Sequence, residues 1–243
     1  MLSSFLGAAS FLTSIPAGGT IKRSSVLAFP VVGLLLGGLL GVIMVGAVRV
    51  FHPLVVGALI VGADALLTGF LHLDAVGDAG DGLIAHMEKT KRLEVMEQPL
   101  IGAFGVVAIV IIELLRFASL TKVSQPLVTL VICYGMSRGL MGLGLLVAKS
   151  AKGNSILELF SITDIRFRYA MRSLLVVELA AIVFAGYVAV GERILIGAVV
   201  SVLLFTFVIA RAYRVIGGIT GDVIGAAGML SEVGFLISVF GVR

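Results

Sequence analysis

Residues 26–48 read VLAFPVVGLLLGGLLGVIMVGAV. The stretch carries no charged side chain and exceeds the ~20 apolar residues that carry a helix across the hydrocarbon core of a bilayer. Inside lipid each backbone N–H and C=O must find its partner within the segment, so such a run is a helix. Gly33, Gly37 and Gly41 recur at every fourth position, a small-residue stripe suited to packing against another helix. Working outward, comparable runs lie at 54–71, 100–118, 126–148, 173–190, 194–210 and 223–240. The expectation is an all-α, polytopic membrane helical bundle of about seven transmembrane helices, forming one integral membrane domain over 1–243. With 59% hydrophobic and 13% charged residues and a mean hydropathy of +1.18, the chain is far from the composition of a soluble domain.

The net charge of +4 does not point to nucleic acid, because the lysines and arginines are scattered at the ends of apolar runs. They orient the chain instead. With seven spans and a cytoplasmic N-terminus, only Arg49, Arg116, Lys122, Arg193 and Arg243 fall on the outer side, and Arg138 lies within a span. This asymmetry predicts a cytoplasmic N-terminus in the cell membrane. Residues 1–16 end at Pro16 and lack a basic leader, so they read as an interfacial helix. The sole cysteine, Cys133, sits in an apolar run, which excludes an intrachain disulfide and a thiolate metal cluster.

Three polar connections, 72–99, 149–172 and 211–222, then face the cytoplasm, and 149–172 is expected to form an amphipathic surface helix. The first holds GFLHLDAVGDAGDGLIAH at 69–86, in which Asp74, Asp78 and Asp81 stand at i, i+4 and i+7. On a helix they share one face. Like charges so close repel unless a cation lies among them, and hard carboxylate oxygens suit Mg²⁺, hence a phosphorylated substrate. His72 is the candidate base. Asp64, Thr68 and His72 are spaced by four, so a polar stripe is expected to descend from this cluster into the second span.

In the last connection, Arg211 and Arg214 lead into GGITGDVIGA at 217–226, where glycines, a helix start and two arginines are the parts of an anion cradle. Asp222 is a further metal-ligand candidate. Arg138 and Glu232, both inside spans, are expected to pair with each other or with Asp64.

The motifs FLTSIP (11–16), FPVVGLLLG (29–37), LLTGFLHLDAVGDAGDGL (66–83), RLEVMEQPLIGAFG (92–105) and GGITGDVIGAAGMLSEVGFL (217–236) occur in this order over nearly the whole chain. In this the sequence resembles the cobalamin synthase family of adenosylcobinamide-GDP ribazoletransferases. The resemblance implies an enzyme that transfers the adenosylcobinamide phosphate group from adenosylcobinamide-GDP to α-ribazole or its 5′-phosphate, releasing GMP, with Mg²⁺ as cofactor. It implies that His72, Asp74, Asp78 and Asp81 belong to the family's central motif and Asp222 to its C-terminal one. Assembly with other cobamide-pathway enzymes is a further expectation. The central motif departs from the usual HLDGLADTADG at Ala75, Val76, Gly77, Ala79 and Gly80. Met96, Glu97, Gln98, Pro99 and Leu100 stand where the family usually has MKDSR. The resemblance thus implies Arg92 or Lys91 as the candidate phosphate contact on the connection that carries the aspartates. A weaker likeness links DAGDGLIAH at 78–86 to the first half of the CDP-alcohol phosphotransferase motif, whose second half is absent downstream. That leaves a lipid enzyme of this kind, or an ion-coupled transporter, as the alternatives.

Overall fold

Helix α2 (Phe29–Ala47) forms from the deciding apolar run and is preceded by a 3₁₀ turn over Arg23–Ala28. Pro30 sits at its start, where a missing N–H costs nothing. The Gly33, Gly37 and Gly41 stripe faces helix α7 (Pro126–Val147). A Cβ at Gly33 or Gly37 would collide with the carbonyls of Tyr134 and Leu130, and one at Gly41 would lie 2.7 Å from the Leu127 Cα. The stripe lets two backbones touch, and α2–α7 is the most extensive helix pairing in the molecule.

The structure, a computed structural model, describes residues 2–122, 125–147, 149–152, 156–160 and 164–240. The remaining helices are α1 (Leu2–Leu12), α3 (Pro53–Leu67), α4 (Leu71–Ile84), α5 (Lys89–Val95), α6 (Ala103–Leu120), α8 (Ile156–Phe160), α9 (Ile165–Val190), α10 (Arg193–Ile216) and α11 (Gly221–Phe240). Among the described residues there is no strand, only an isolated parallel bridge between Ser150 and Ile219. Six helices are long and apolar enough to cross a membrane, and the bent pair α3–α4 raises this to seven. Two of them are central: 83% of an 18-residue apolar stretch in α7 and in α11 is buried, against 22–28% of the corresponding stretches in α6, α9 and α10, whose outer faces are apolar and exposed. This is the pattern of a bundle solvated by lipid.

Three expectations need correction. The polar stripe does not descend one continuous helix: Gly69 (φ 61°) and Phe70 (φ 60°) adopt left-handed backbone, and α4 leaves α3 at 91°. The second span therefore ends at Leu67, and α4 lies crosswise at the end of the bundle instead of as a polar loop. The carbonyls freed where α3 stops are met by Ser14 of the FLTSIP segment, whose hydroxyl donates to Leu66 O (2.9 Å) and Leu67 O (3.1 Å) and whose N–H donates to Leu67 O (2.8 Å). The 149–172 connection is not one surface helix. Its described part holds the short α8, and α9 begins at Ile165, so Arg166, Arg168 and Arg172 belong to the first turns of a spanning helix, while 153–155 and 161–163 lie outside the described residues. Arg116, assigned to the outer side, is instead fully buried; Arg243 lies outside the described residues.

Arg116 is the hub of a charge network in the apolar interior. It donates to Asp64 of α3 at 2.5 Å, to Glu113 at 2.8 Å and to the Tyr134 hydroxyl at 2.8 Å, and lies 3.7 Å from Glu232 of α11. Arg138 of α7 pairs with Glu232, which also accepts from Ser137 at 3.0 Å. Of the two partners expected for the 138–232 pair, Glu232 takes Arg138 and Asp64 takes Arg116. Removing one member strands a buried charge, which costs about 3–5 kcal/mol. Asp64→Ala and Glu232→Ala are each expected to lower the thermal unfolding midpoint in detergent by that order of stability, whereas Glu192→Ala, at the exposed start of α10, is expected to move it by no more than about 0.5 kcal/mol.

Candidate active site

The ends of α3, α7 and α10 and the starts of α2, α6, α9 and α11 gather at the end of the bundle where α4 lies. Helix α4 packs on α11 through small residues: a Cβ at Gly225 would approach the Ala75 Cβ to 2.6 Å. This contact sets the carboxylates of α4 beside Asp222 in the first turn of α11, a position where the helix dipole favours negative charge. The Thr220 hydroxyl donates to Asp222 at 3.3 Å and accepts the Val223 N–H at 3.3 Å, holding the turn.

The three aspartates of α4 do not act as one face. Asp78 is half-buried, and its carboxyl is pushed up to about 7, first by burial and then by the charges of Asp222, Asp74 and Asp81 in that order. The charge that acts on it most is thus on another helix. Asp81 is committed elsewhere: its two oxygens accept the N–H groups of Gly102 (2.6 Å) and Gly105 (2.9 Å) at the start of α6. A Cβ at either glycine would meet this carboxylate at 2.5–2.6 Å. The glycines of IGAFG are therefore the seat of Asp81, which caps α6. These two bonds orient the Asp81 carboxylate toward the start of α6, away from the Asp222 side that Asp78 faces. Among the described residues, no three His, Cys, Asp or Glu side chains are arranged to hold a metal by themselves.

His72 is 2% exposed, and neither ring nitrogen has a hydrogen-bond partner among the described residues. Burial, then Arg138 and Arg116, hold its pKa well below the usual histidine value, so the imidazole is neutral. It lines a cavity of about 300 Å³ together with Asp74, Asp222, Phe11, Phe29, Met141 and Leu145. Phe11 stacks on Phe29 at 5.9 Å, so α1 forms part of the wall and does more than rest at an interface. The cavity is apolar in its depth and carries a base and two carboxylates, the composition of a small-molecule site.

The expected phosphate contacts divide as well. Arg92 is buried and donates to Gly82 O (2.7 Å) and Met87 O (2.9 Å), while Arg211 donates to Leu83 O at 3.0 and 3.2 Å. Both satisfy free carbonyls at the end of α4, those of Gly82 and Leu83. Arg214 is exposed. In the glycine turn, the Gly217 N–H donates to Tyr213 O and the Ile219 N–H to Lys149 O, so these two donors do not serve an anion. Asp64, Arg138 and Glu232 lie in the interior network and not at the cavity wall. Sequence reasoning missed Arg116 and Glu113. The signal was present, since two opposite charges at i and i+3 inside an apolar run must meet partners within the bundle.

The cobalamin-5-phosphate synthase family model matches residues 4–240. Proteins named adenosylcobinamide-GDP ribazoletransferase are similar along most of their length. That of Acetivibrio thermocellus is 32% identical over 243 residues, covering 93% of this chain and 93% of the relative. That of Desulfitobacterium hafniense strain Y51 is 30% identical over 217 residues, covering 87% and 84%. That of Treponema denticola is 33% identical over 185 residues, covering 72% and 71%. No solved structure matches the chain. A match across nearly every residue, including α4, the cap of α6 and the start of α11, means that this chain belongs to the cobalamin-5-phosphate synthase family.

Proposed function

We propose that this protein is an adenosylcobinamide-GDP ribazoletransferase of cobalamin biosynthesis, transferring the adenosylcobinamide phosphate group to α-ribazole or its 5′-phosphate and releasing GMP. The observation that carries the reading is the cavity at the α4–α11 contact, where the unpartnered neutral His72 stands with Asp74 and Asp222, and Asp78 lies against them. In the reaction a hydroxyl oxygen of the acceptor bonds to the phosphorus attached to cobinamide. The bond from that phosphorus to the oxygen shared with GMP breaks, and the hydroxyl proton must leave. His72, neutral and with both nitrogens unpartnered, accepts that proton or its hydrogen bond.

Asp74 and Asp222 at the cavity wall, with Asp78 beside them, would supply only part of the oxygen shell of a Mg²⁺ ion, which keeps water ligands and takes substrate phosphates for the rest. When bound there it would neutralise the diphosphate and ease the departure of GMP. The end of the bundle that holds the cavity also carries Lys22, Arg23, Lys149, Arg168, Arg172, Arg211 and Arg214. Under the positive-inside rule this end faces the cytoplasm of a cell membrane, where a water-soluble nucleotide substrate reaches it.

The protein in liposomes, given adenosylcobinamide-GDP, α-ribazole or its phosphate, and Mg²⁺, is expected to form GMP and a cobamide in equal amounts by mass spectrometry, and to stop when EDTA is added. Folded protein that forms neither product from either acceptor overturns the reading. Asp78→Asn is expected to lower kcat by roughly 10²–10⁴-fold with little change in the unfolding midpoint. Asp81→Ala, which strips the start of α6 of its acceptor, is expected to cost roughly 1–3 kcal/mol of stability. The reverse pattern in the two variants would show that their roles are exchanged.

A further inference from the structure

A second cavity, of about 210 Å³, opens at the same end, walled by the end of α7, by α8 and by the first turns of α9. Its lining sets Lys149, Arg168 and Arg172 against one carboxylate, Glu158. Arg172 is fixed in place by donating from two nitrogens to Leu146 O, at 2.6 and 3.2 Å. The Nε of Arg168 is buried and has no hydrogen-bond acceptor among the described residues. Two guanidinium groups and an ammonium are the donors that match the oxygens of a phosphate.

The position of this cavity limits what brings the phosphate. Leu145 lines both it and the cavity of His72, Asp74 and Asp222. The chain at Lys149 is bonded directly to the turn that leads into Asp222: the Ile219 N–H donates to Lys149 O at 3.0 Å, and the Ala151 N–H to Ile219 O at 2.9 Å. A molecule with its sugar at the acidic cavity therefore has a basic seat next door. Adenosylcobinamide-GDP contains a diphosphate esterified at both ends and no phosphate monoester; the phosphorylated acceptor contains one. A doubly charged monoester is repelled by the carboxylates of the first cavity and attracted by the cations of the second.

We propose that Lys149, Arg168 and Arg172 form a phosphate-monoester site that seats the acceptor's own 5′-phosphate and selects the phosphorylated acceptor over the free nucleoside. This rests on the transferase reading above. The test compares kcat/KM for the two acceptors in the wild type, Arg168→Ala and Lys149→Ala; Arg172 is left intact because it also holds the end of α7. The wild type is expected to favour the phosphorylated acceptor, and each variant to reduce that preference by roughly ten- to a hundredfold through KM. An equal fall with both acceptors, or no change in the ratio, overturns the proposal. So does an effect seen only when phosphatidylglycerol is added to phosphatidylcholine liposomes, which would assign the cavity to a lipid headgroup. If the wild type turns over neither acceptor, the transferase reading fails separately, and calorimetry with inorganic phosphate decides the site. Binding lost in Arg168→Ala supports it, and no binding to the wild type overturns it.

Discussion

The Asp64–Arg116–Glu232–Arg138 network is the constraint on which the arrangement of the helices depends. Its members come from α3, α6, α7 and α11, and each is buried where water cannot replace a lost partner. Burial of these charges carries a desolvation cost that only the full set of pairings offsets. Sliding any one helix breaks a pair, so the network holds α11 and α3 in register with the central α7. That register brings Asp222, at the start of α11, to the level where α3 ends and α4 turns aside.

The crosswise α4 is held by its ends. Ser14 meets the carbonyls that α3 leaves open, while Arg92 and Arg211 meet those at the end of α4 itself. Asp81 reaches from α4 to the start of α6. A helix that ends in apolar surroundings needs such partners, because every unmet backbone group there costs several kcal/mol. Several short stretches thus have structural work: FLTSIP closes α3, the four-spaced glycines seat α7, and the two glycines of IGAFG admit a carboxylate. These contacts also bring Asp74 and Asp78 of α4 together with Asp222 of α11.

The charged groups at this end then sort by neighbour. Carboxylates and a neutral imidazole line one cavity, and two guanidinium groups with an ammonium line the next, with Leu145 between them. On the proposal that the basic cavity seats the acceptor's phosphate, opposite charges in adjoining cavities would give a substrate that carries both a sugar hydroxyl and a phosphate one orientation. Orientation of this kind is a large part of what a transferase supplies to its reaction.

Much of this was open to reading in the chain alone. Uninterrupted apolar runs determine helices in lipid, since the backbone has no other partner there, and the spacing of Gly33, Gly37 and Gly41 determines a close helix contact. The concentration of aspartates at 74–81 and at 222 marked the acidic end, because carboxylates in so apolar a chain need compensation. Only the tertiary structure decided which charges meet. Helical spacing puts Asp74, Asp78 and Asp81 on one face but says nothing of what that face touches, and here Asp74 and Asp78 meet the like charge of Asp222 on α11 while Asp81 bonds to the start of α6. Nor does spacing foretell a 91° bend made by left-handed backbone at Gly69 and Phe70, or that Arg92 and Arg211 are needed by carbonyls of α4. Such pairings join residues distant along the chain, and they exist only once the bundle has closed.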